Sequence, residues 1–343
     1  MSRSRIVLLG CLFWFSSQLL YGQANNKVDV LSKDQLEFLE QLTIAVLEES
    51  SIHPGQFISE VFGANNSGGL LIRPGGRNAY PSFWIRDYAM ALETDLVSLE
   101  AQKHMLLLTA KSQANQSWIT TGGSMVPVGS IADHIRIDDG LPIYFPGTYS
   151  YADQGTERWG MKLIDRLTLA FHVPPSVLDN HLVYASDRFR GVDFGFRDAI
   201  ELTGELLYPS LLKFRSAMQL SELFELLDRP EQSEKYKEIA ITIKKNIPSV
   251  FKDESGFLKA STILSAQPDV WGTSLAIYLG VLEGEDLSSA SKVLSNAYKK
   301  GTISYRGNVR HVPTDHDFDE NKVWEKSLAA KNTYQNGEPL LLG

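Results

Sequence analysis

The stretch that decides the fold is residues 209–247, PSLLKFRSAMQLSELFELLDRPEQSEKYKEIAITIKKNI. Its first half places apolar residues on one helical stripe, which consists of Leu211, Leu212, Ala217, Leu220, Leu223, Phe224 and Leu227. After the turn at 228–230, a second apolar set recurs at i, i+3, i+4, i+7 and i+11, namely Tyr236, Ile239, Ala240, Ile243 and Ile247. Two helical patterns joined by so short a turn predict an antiparallel helical hairpin.

A second hairpin follows the first. Residues 269–279 and 286–298 have helical patterns and are joined by the segment 280–285. Two lysines and then Gly301 follow the last helical residue, as is typical of a helix C-terminus. The second half of the chain is therefore expected to consist of helical hairpins.

The first half of the chain contains fewer regular patterns. Ser32 and Gln35 form a capping box, which predicts that a helix begins there. The helix would present one apolar stripe made of Leu36, Leu39, Leu42 and Val46. A further helix is expected from about Ile85 to Leu99, and residues 118–155 are expected to form a long ordered loop rich in aromatic residues. Strand signals are few, so the predicted class is all-α.

The composition excludes several classes of protein. The chain has 343 residues, 43% of them hydrophobic, which is enough to build a sizeable core. Its 33 Lys and Arg against 41 Asp and Glu give a net charge of -8, without a basic block. Since nucleic-acid affinity comes from clustered cations that neutralise phosphates, we expect no nucleic-acid partner.

The N-terminus has the pattern of a signal peptide. Arg3 and Arg5 precede an interrupted apolar run over 6–20, which is too short to span a bilayer comfortably. We expect residues 1–24 to be a signal peptide and residues 25–343 to form a single domain, which is secreted or periplasmic with no stable membrane span. The oligomeric state is left open.

The segment from Tyr80 to Tyr88 contains the first candidate binding residues. Arg86 and Asp87 place a planar fork of donors next to an acceptor, which suits the vicinal hydroxyls of a sugar. Trp84 offers an apolar face on which a pyranose ring can stack. The alternative is structural, in which Asp87 caps a helix and pairs locally with its neighbour.

The segment 191–198, GVDFGFRD, contains a second acidic and aromatic cluster. Phe194 and Phe196 flank Asp193 and would partly desolvate its carboxyl, which would raise its pKa as a general acid requires. Arg197 and Asp198 join the candidate substrate-binding residues. The alternative is that Asp193 caps the next helix.

Further candidate substrate-binding residues lie elsewhere in the chain. Asp138, Asp139 and Tyr144 lie within 134–149, where the alternative is an Asp-Gly turn ahead of an extended segment. Trp271 and His311 complete this group of aromatic and polar candidates.

Metal and cofactor sites are not expected. The carboxylates of 315–319 resemble a calcium loop, but an EF-hand would need Gly and Glu where the chain has Glu320 and Lys326. His311 and His316 would need a third ligand to bind catalytic zinc. The sequence also lacks a phosphate-binding glycine loop and a nucleophile elbow.

Taken together, these segments resemble the six-hairpin glycosidases over about residues 83–337. The resemblance implies an (α/α)6 toroid, with a carbohydrate as the partner. Residues 84–87, WIRD, look like the Trp-x-Arg-Asp segment of glucoamylase-like enzymes. That likeness implies that Arg86 and Asp87 hold the hydroxyls of the sugar at the cleaved, non-reducing end.

Two other segments extend the resemblance. Residues 191–197 are similar to the trehalase segment Gly-Trp-Asp-Phe-Ser-Ser-Arg, which implies that Asp193 is the general acid, although Val192 replaces the tryptophan. Tyr334, Gln335 and Asn336 precede a glycine, as in the Asn-Gly segment that lines the sugar site of invertase-like relatives. The implied activity is an exo-acting, inverting glycoside hydrolase of secreted type, acting on an oligosaccharide or glycan.

The sequence departs from this family at the expected general base. Relatives place that Glu some tens of residues after the Asn-Gly motif, whereas this sequence stops at Gly343, so only Glu325 and Glu338 lie near the right position. A helical segment that relatives carry before Leu163 is also missing, and the toroid is expected to lack one or more helices. The alternative functions are a non-catalytic carbohydrate-binding protein and an inactive fragment without the general base.

Overall fold

The computed structural model describes residues 32–74, 80, 82–119, 125–144, 162–186, 202–305 and 308–316. The chain forms two compact units, one ending at Val46 and the other beginning at Leu47. The described part of the first unit belongs to one helix. The second unit contains the hairpins and every candidate site residue that the structure describes.

The described residues include eight helices, which hold about half of them. In chain order they are α1 (Lys33–Ser50), α2 (Ile85–Leu92), α3 (Leu99–Lys111), α4 (Leu163–Phe171), α5 (Leu207–Leu226), α6 (Pro230–Val250), α7 (Val270–Tyr278) and α8 (Gly284–Lys300). The capping box that predicted α1 is confirmed, because Ser32 and Gln35 exchange side-chain to backbone hydrogen bonds at 2.8 and 3.2 Å.

The described chain also contains short strands, so the all-α prediction is wrong and the fold is mixed. The strands are β1 (Ser51–Ile52), β2 (Phe57–Ser59), β3 (Gly63–Ala64), β4 (Leu71–Ile72), β5 (Ser82–Trp84), β6 (Trp118–Ile119), β7 (Met125–Val126), β8 (His134–Arg136), β9 (Pro142–Ile143), β10 (Tyr184–Ala185), β11 (Gly204–Glu205), β12 (Ser304–Tyr305) and β13 (Asn308–Val309). They pair as β1-β4, β2-β3, β6-β7, β10-β11, β12-β13 and the three-stranded sheet β5-β8-β9. Segments of two or three residues lack the period that reveals longer strands, so the sequence pattern does not predict them.

The α5–α6 hairpin is confirmed and forms the centre of the larger core. All five apolar residues predicted for the α6 stripe, from Tyr236 to Ile247, are buried. The rings of Phe224 and Tyr236 stack with centroids 5.5 Å apart and planes 5° from parallel. Pro230 occupies the first turn of α6, where its missing N–H costs no helical hydrogen bond. Three residues of the predicted α5 stripe, Leu212, Leu223 and Leu227, are instead exposed.

The helix predicted from Ile85 to Leu99 is shorter than expected. α2 ends at Leu92, and Asp95 then adopts a left-handed conformation with φ of 57°, which no helix interior accommodates. Ser98 begins α3 by accepting a hydrogen bond from the backbone N–H of Ala101 at 3.3 Å. The predicted helix therefore ends at Leu92, and a separate helix begins near the end of the predicted span.

The second hairpin is also confirmed. Asp269 caps α7 by accepting from the backbone N–H of Gly272 at 2.9 Å, and α8 ends at Gly301, whose φ of 75° is the left-handed conformation expected of a C-terminal glycine. A separate core beneath β5 and β8 includes Phe83, Met105 and Ile135. Within the described residues, no helix combines the length and apolar character needed to cross a membrane.

The α5–α6 core predicts a sharp contrast between two isoleucines of one helix. Ile243 is fully buried, whereas Ile241, two residues away, is 54% exposed. Ile243→Ala should lower the free energy of unfolding by about 2–5 kcal/mol, because it removes buried methyl groups and leaves a cavity. Ile241→Ala should change it by no more than about 0.5 kcal/mol. Urea unfolding of both variants tests this, and equal effects would contradict the burial of Ile243 in the α5–α6 core.

Candidate functional site

The candidate site is built at the junction where β5 runs directly into α2. Trp84 is both the last residue of β5 and the residue that precedes the first turn of α2. β5 pairs antiparallel with β8, so that Trp84 lies opposite His134 and Phe83 lies opposite Ile135. Because side chains alternate across a strand, Phe83 and Ile135 are buried in the core while Trp84 and His134 share the other, partly exposed face.

An aromatic cluster covers that face of the sheet. The rings of Trp84 and His134 stack with centroids 4.4 Å apart and planes 23° from parallel. Tyr80 meets Trp84 edge-on at 5.2 Å. The indole is therefore held in a fixed orientation on the sheet.

Asp133 links this cluster to the guanidinium of Arg86. Its Oδ2 accepts hydrogen bonds from Nε1 of Trp84 at 3.1 Å and from Nδ1 of His134 at 2.8 Å. Its Oδ1 binds the guanidinium of Arg86, and the Asp133 side chain is only 11% exposed. One carboxylate thus positions the indole, the imidazole and the guanidinium together.

The pKa values of the two carboxyls at this junction shift in opposite directions. Burial raises the pKa of Asp133, but the hydrogen bond from His134 and the charge of Arg86 outweigh it, so the pKa lies below its ordinary value. Burial also raises the pKa of Asp87, and there the nearby Arg86 does not fully offset it. The charge of Asp133 adds to the increase at Asp87. Asp133 is therefore held ionised, while Asp87 retains an energetic cost of ionisation.

Asp87 lies in the first turn of α2, as the structural alternative for this motif supposes, but the N-cap position is Trp84, which makes no side-chain capping bond. No ion pair joins the Asp87 carboxylate to another described residue. The guanidinium of Arg86 reaches Asp133, which lies 47 residues away along the chain. The Arg86–Asp133 interaction is therefore tertiary, in contrast to the local pairing that the sequence alternative assumed.

Asp138 and Asp139 lie in a turn beyond β8. Arg136 donates to both carboxylate oxygens of Asp138, at 3.2 and 2.7 Å, and lies 3.5 Å from Asp139. Gly140 then turns the chain with φ of 72°. Burial raises the pKa of Asp138, but the hydrogen bonds from Arg136 more than compensate, so the pKa is lowered overall. The Asp-Gly turn that was the alternative for this segment is present.

Tyr144 lies inside the core beneath the sheet. The side chain is 2% exposed, and its hydroxyl donates to the backbone carbonyl of Ser112. Trp118 meets the ring edge-on at 4.9 Å. Burial raises the pKa of Tyr144 to about 12. In this conformation the hydroxyl takes part in packing and does not face the Trp84 cluster.

Trp271 and His311 form an aromatic pair of their own. Their rings stack with centroids 3.8 Å apart, and Nε1 of Trp271 donates to the carbonyl of Val309 at 3.3 Å. His311 is 7% exposed. The pair fixes the chain after β13 against the start of α7, where the N–H of Val270 donates to the carbonyl of His311 at 3.0 Å.

The remaining candidates lie outside the described residues. They are Asp193, Arg197, Asp198, Glu325, Tyr334, Gln335, Asn336 and Glu338. Residues 1–24, expected to be a signal peptide, also lie outside them. Across the described ranges, no group of three or more His, Cys, Asp or Glu side chains is arranged to hold a metal ion.

Neither a protein-family model nor any curated protein matches this chain. A functional assignment therefore depends on the chemistry of the residues themselves. For the described residues, that chemistry is concentrated at the β5–α2 junction.

Asp133 is a functional candidate that is not apparent from the sequence alone. Asp133 lies just before the segment 134–149, which contributed Asp138, Asp139 and Tyr144 to the candidates. The sequence contains one signal, because the Asp-His pair begins a segment in which polar and apolar residues alternate as in a strand. Its partners, Trp84 and Arg86, become visible only when β5 and β8 are paired.

The opposite pKa shifts predict opposite effects of two isosteric substitutions. At pH 7, Asp133→Asn should lower the free energy of unfolding by about 1–3 kcal/mol, because it removes a charged acceptor from three donors. Asp87→Asn should raise the free energy of unfolding, because this carboxylate is costly to ionise. Partial screening by solvent limits the increase to about 1 kcal/mol. Urea unfolding at pH 7 measures both.

The pH dependence provides the control. The depressed pKa of Asp133 means that its stabilisation is present above the ordinary value of 3.8 and is lost as the pH falls through the folded-state pKa. The raised pKa of Asp87 means that its cost is present above the folded-state pKa and disappears as the pH falls toward 3.8. Two effects of the same sign at pH 7 would contradict this assignment.

Proposed function

We propose that this chain is a secreted carbohydrate-active protein, and specifically an exo-acting, inverting glycoside hydrolase that binds the terminal sugar at the β5–α2 junction. The observation that supports it is the Asp133 carboxylate, which holds an indole and a guanidinium side by side. Sugars present apolar ring faces and paired hydroxyls, so this combination of groups suits them.

Arg86 and Asp87 provide the polar half of the proposed binding site. The Arg86 side chain is 41% exposed, so its planar donors are accessible to a ligand while Asp133 fixes their position. Asp87 is partly buried beside it and offers a carboxylate that accepts hydrogen bonds from hydroxyls. A hydroxyl that donates to Asp87 would lower the cost of its ionisation. A bound sugar would therefore offset part of the desolvation energy of this carboxylate.

Catalysis in this proposal uses carboxylates outside the described residues. Asp193 protonates the leaving oxygen, while Glu325 or Glu338 activates a water on the opposite face of the sugar ring. An inverting mechanism requires the two carboxyl groups to stand about 6.5–9.5 Å apart, so that the water fits between base and sugar. An (α/α)6 arrangement of the hairpins, with its loops on one face, would bring these distant segments together.

The second candidate function is a non-catalytic carbohydrate-binding protein. It is favoured by the state of Asp133, which is bound by three donors and held ionised, so it serves positioning and not proton transfer. The groups that the described site assembles would then suffice for recognition. The two candidates share the binding site and differ in whether bound sugar is turned over.

Binding by Arg86 predicts a specific loss of affinity. Arg86→Lys keeps the charge but removes the planar donor fork, so affinity for an oligosaccharide should fall about tenfold or more. Arg215→Lys is the matched control, because Arg215 is 39% exposed and also pairs with a carboxylate, Glu93. Isothermal titration calorimetry against a panel of oligosaccharides measures both. Equal affinities for the two variants would refute the proposed role of Arg86.

Catalysis by Asp193 predicts a loss of turnover. Asp193→Asn should reduce kcat by about 10²–10⁴ on a natural oligosaccharide, while Asp286→Asn, an exposed control in α8, should leave kcat unchanged. Proton NMR of the first product formed should show inversion at the anomeric carbon. Tight sugar binding by the unmodified chain without any product would exclude hydrolysis and support the non-catalytic candidate.

A further inference from the structure

A cavity of about 340 Å³ lies between α4 and α5, and none of the described residues of the proposed sugar site lines it. This volume is at the lower end of small-molecule sites, which begin at about 300 Å³. Its lining is mostly apolar and includes Leu167, Phe171, Pro174, Val183, Leu212 and Leu220. Leu212 is one of the residues predicted to lie in the α5 core stripe, and its 36% exposure places it where the cavity meets solvent.

One cation is built into the wall of this cavity. Lys213 lines it and is only 9% exposed, although lysine is almost never buried unless it is paired. Its Nζ donates to Oγ of Ser176 and lies 5.2 Å from the centre of the Phe171 ring. The Ser176 hydroxyl donates in turn to the carbonyl of Pro174 at 3.0 Å, which leaves its oxygen oriented to accept from the lysine.

Lys213 has no anionic partner among the residues that the structure describes. None of the ion pairs among them includes its ammonium group, and burial alone lowers its pKa to about 8. The group is therefore mainly protonated at pH 7, and no carboxylate within the described ranges balances it. A buried charge in this state destabilises the fold, so stability does not account for its presence.

The titratable groups beside Lys213 are two histidines. Burial lowers the pKa of His172, and the charges of Lys235 and Lys213 lower it further. Burial and Lys213 likewise lower the pKa of His181. A histidine ring carries either a positive charge or none, so neither ring balances the ammonium, and the lowered pKa values move their titration away from that of Lys213.

The charged residues of α4 interact elsewhere. Arg166 donates to the carbonyl of Ala110. Asp165 lies 3.9 Å from Arg229, at the turn between α5 and α6. Among the described residues that line the cavity, the charged side chain is therefore that of Lys213.

We propose that this cavity binds a small carboxylic acid with an apolar body, whose carboxylate pairs with Lys213 while its hydrocarbon part fills the space between α4 and α5. The apolar lining selects the body, and the unbalanced ammonium selects the anionic head group. A single desolvated cation matches one carboxylate, whereas a phosphate dianion requires more donors than the cavity offers. This site is independent of the proposed sugar site.

Two probes that differ only in the head group test the proposal. Calorimetric titration of the unmodified chain at pH 7 uses 4-phenylbutyrate and its neutral counterpart 4-phenylbutan-1-ol. The acid should bind at least about tenfold more tightly than the alcohol, because only the acid forms a charge-assisted pair. Equal binding of the two probes, or binding of neither, would overturn the proposal.

The pH dependence tests the same pair without any mutation. Raising the pH above the lysine pKa of about 8 removes the proton that the carboxylate needs. The affinity for the acid should therefore fall by roughly tenfold per pH unit above that pKa, while the affinity for the alcohol stays constant. An affinity for the acid that does not change between pH 7 and pH 10 would overturn the assignment to Lys213.

Two variants locate the binding. Lys213→Met keeps the length of the side chain and should abolish the preference for the acid, whereas Lys245→Met, at an exposed position of α6, should not. Ala170→Leu fills the cavity from α4 and should weaken binding of both probes by about tenfold or more. Unchanged binding in Lys213→Met and Ala170→Leu would place the probes elsewhere and refute the site.

Discussion

The stack of Phe224 on Tyr236, with the two rings nearly parallel, lies in the seam between α5 and α6, near the turn of the hairpin. Phe171 of α4 meets Tyr236 edge-on at 5.2 Å, and His172 lies 3.2 Å from its hydroxyl. The orientation of α4 therefore follows from a ring on α6. Because α4 and α5 together enclose the cavity of Lys213, the geometry of that cavity also depends on this seam.

The β5–α2 junction depends on a different constraint, the accommodation of one buried carboxylate. Desolvation opposes ionisation of Asp133, and the three donors that surround it reverse that effect. The donors belong to Trp84, Arg86 and His134, so satisfying the charge also fixes the side chains that a ligand would meet. The pairing of β5 with β8 brings these residues close together, and the hydrogen bonds to Asp133 then set the orientation of their side chains.

The parts of the fold that could be predicted are those specified by local sequence. The α6 stripe, the capping box of α1 and the glycine after α8 are each encoded within a few residues, and each was predicted. The exposure of Leu212 and Leu223 was not, because helical spacing does not show where a neighbouring helix ends and a cavity begins. Two-residue strands likewise leave no readable period.

The candidate site also contains residues that could be predicted from local sequence and residues that could not. The motif at Trp84, Arg86 and Asp87 is contiguous, so its chemistry was visible in the sequence. Asp133 required the pairing of β5 with β8, which brings together residues 47 positions apart and has no signature in either segment alone. Tyr144 looked like a ligand-binding aromatic because composition does not distinguish a loop residue from one whose hydroxyl is bonded inside the core.

Asp87 and Lys213 share a property that packing does not explain. Burial disfavours the charged form of each side chain, and apolar or neutral residues would stabilise the same positions. Residues that lower stability are retained where their chemistry is used, and Lys213 lies in the wall of a ligand-sized cavity, which supports the binding role proposed for it. The two charges have opposite sign, which suits hydroxyl donors at Asp87 and an anion at Lys213. In both proposed sites a ligand would bind to a desolvated charge and so reduce the energetic cost of burying that charge. The two ligands would differ in chemistry, but the physical basis of their binding would be the same.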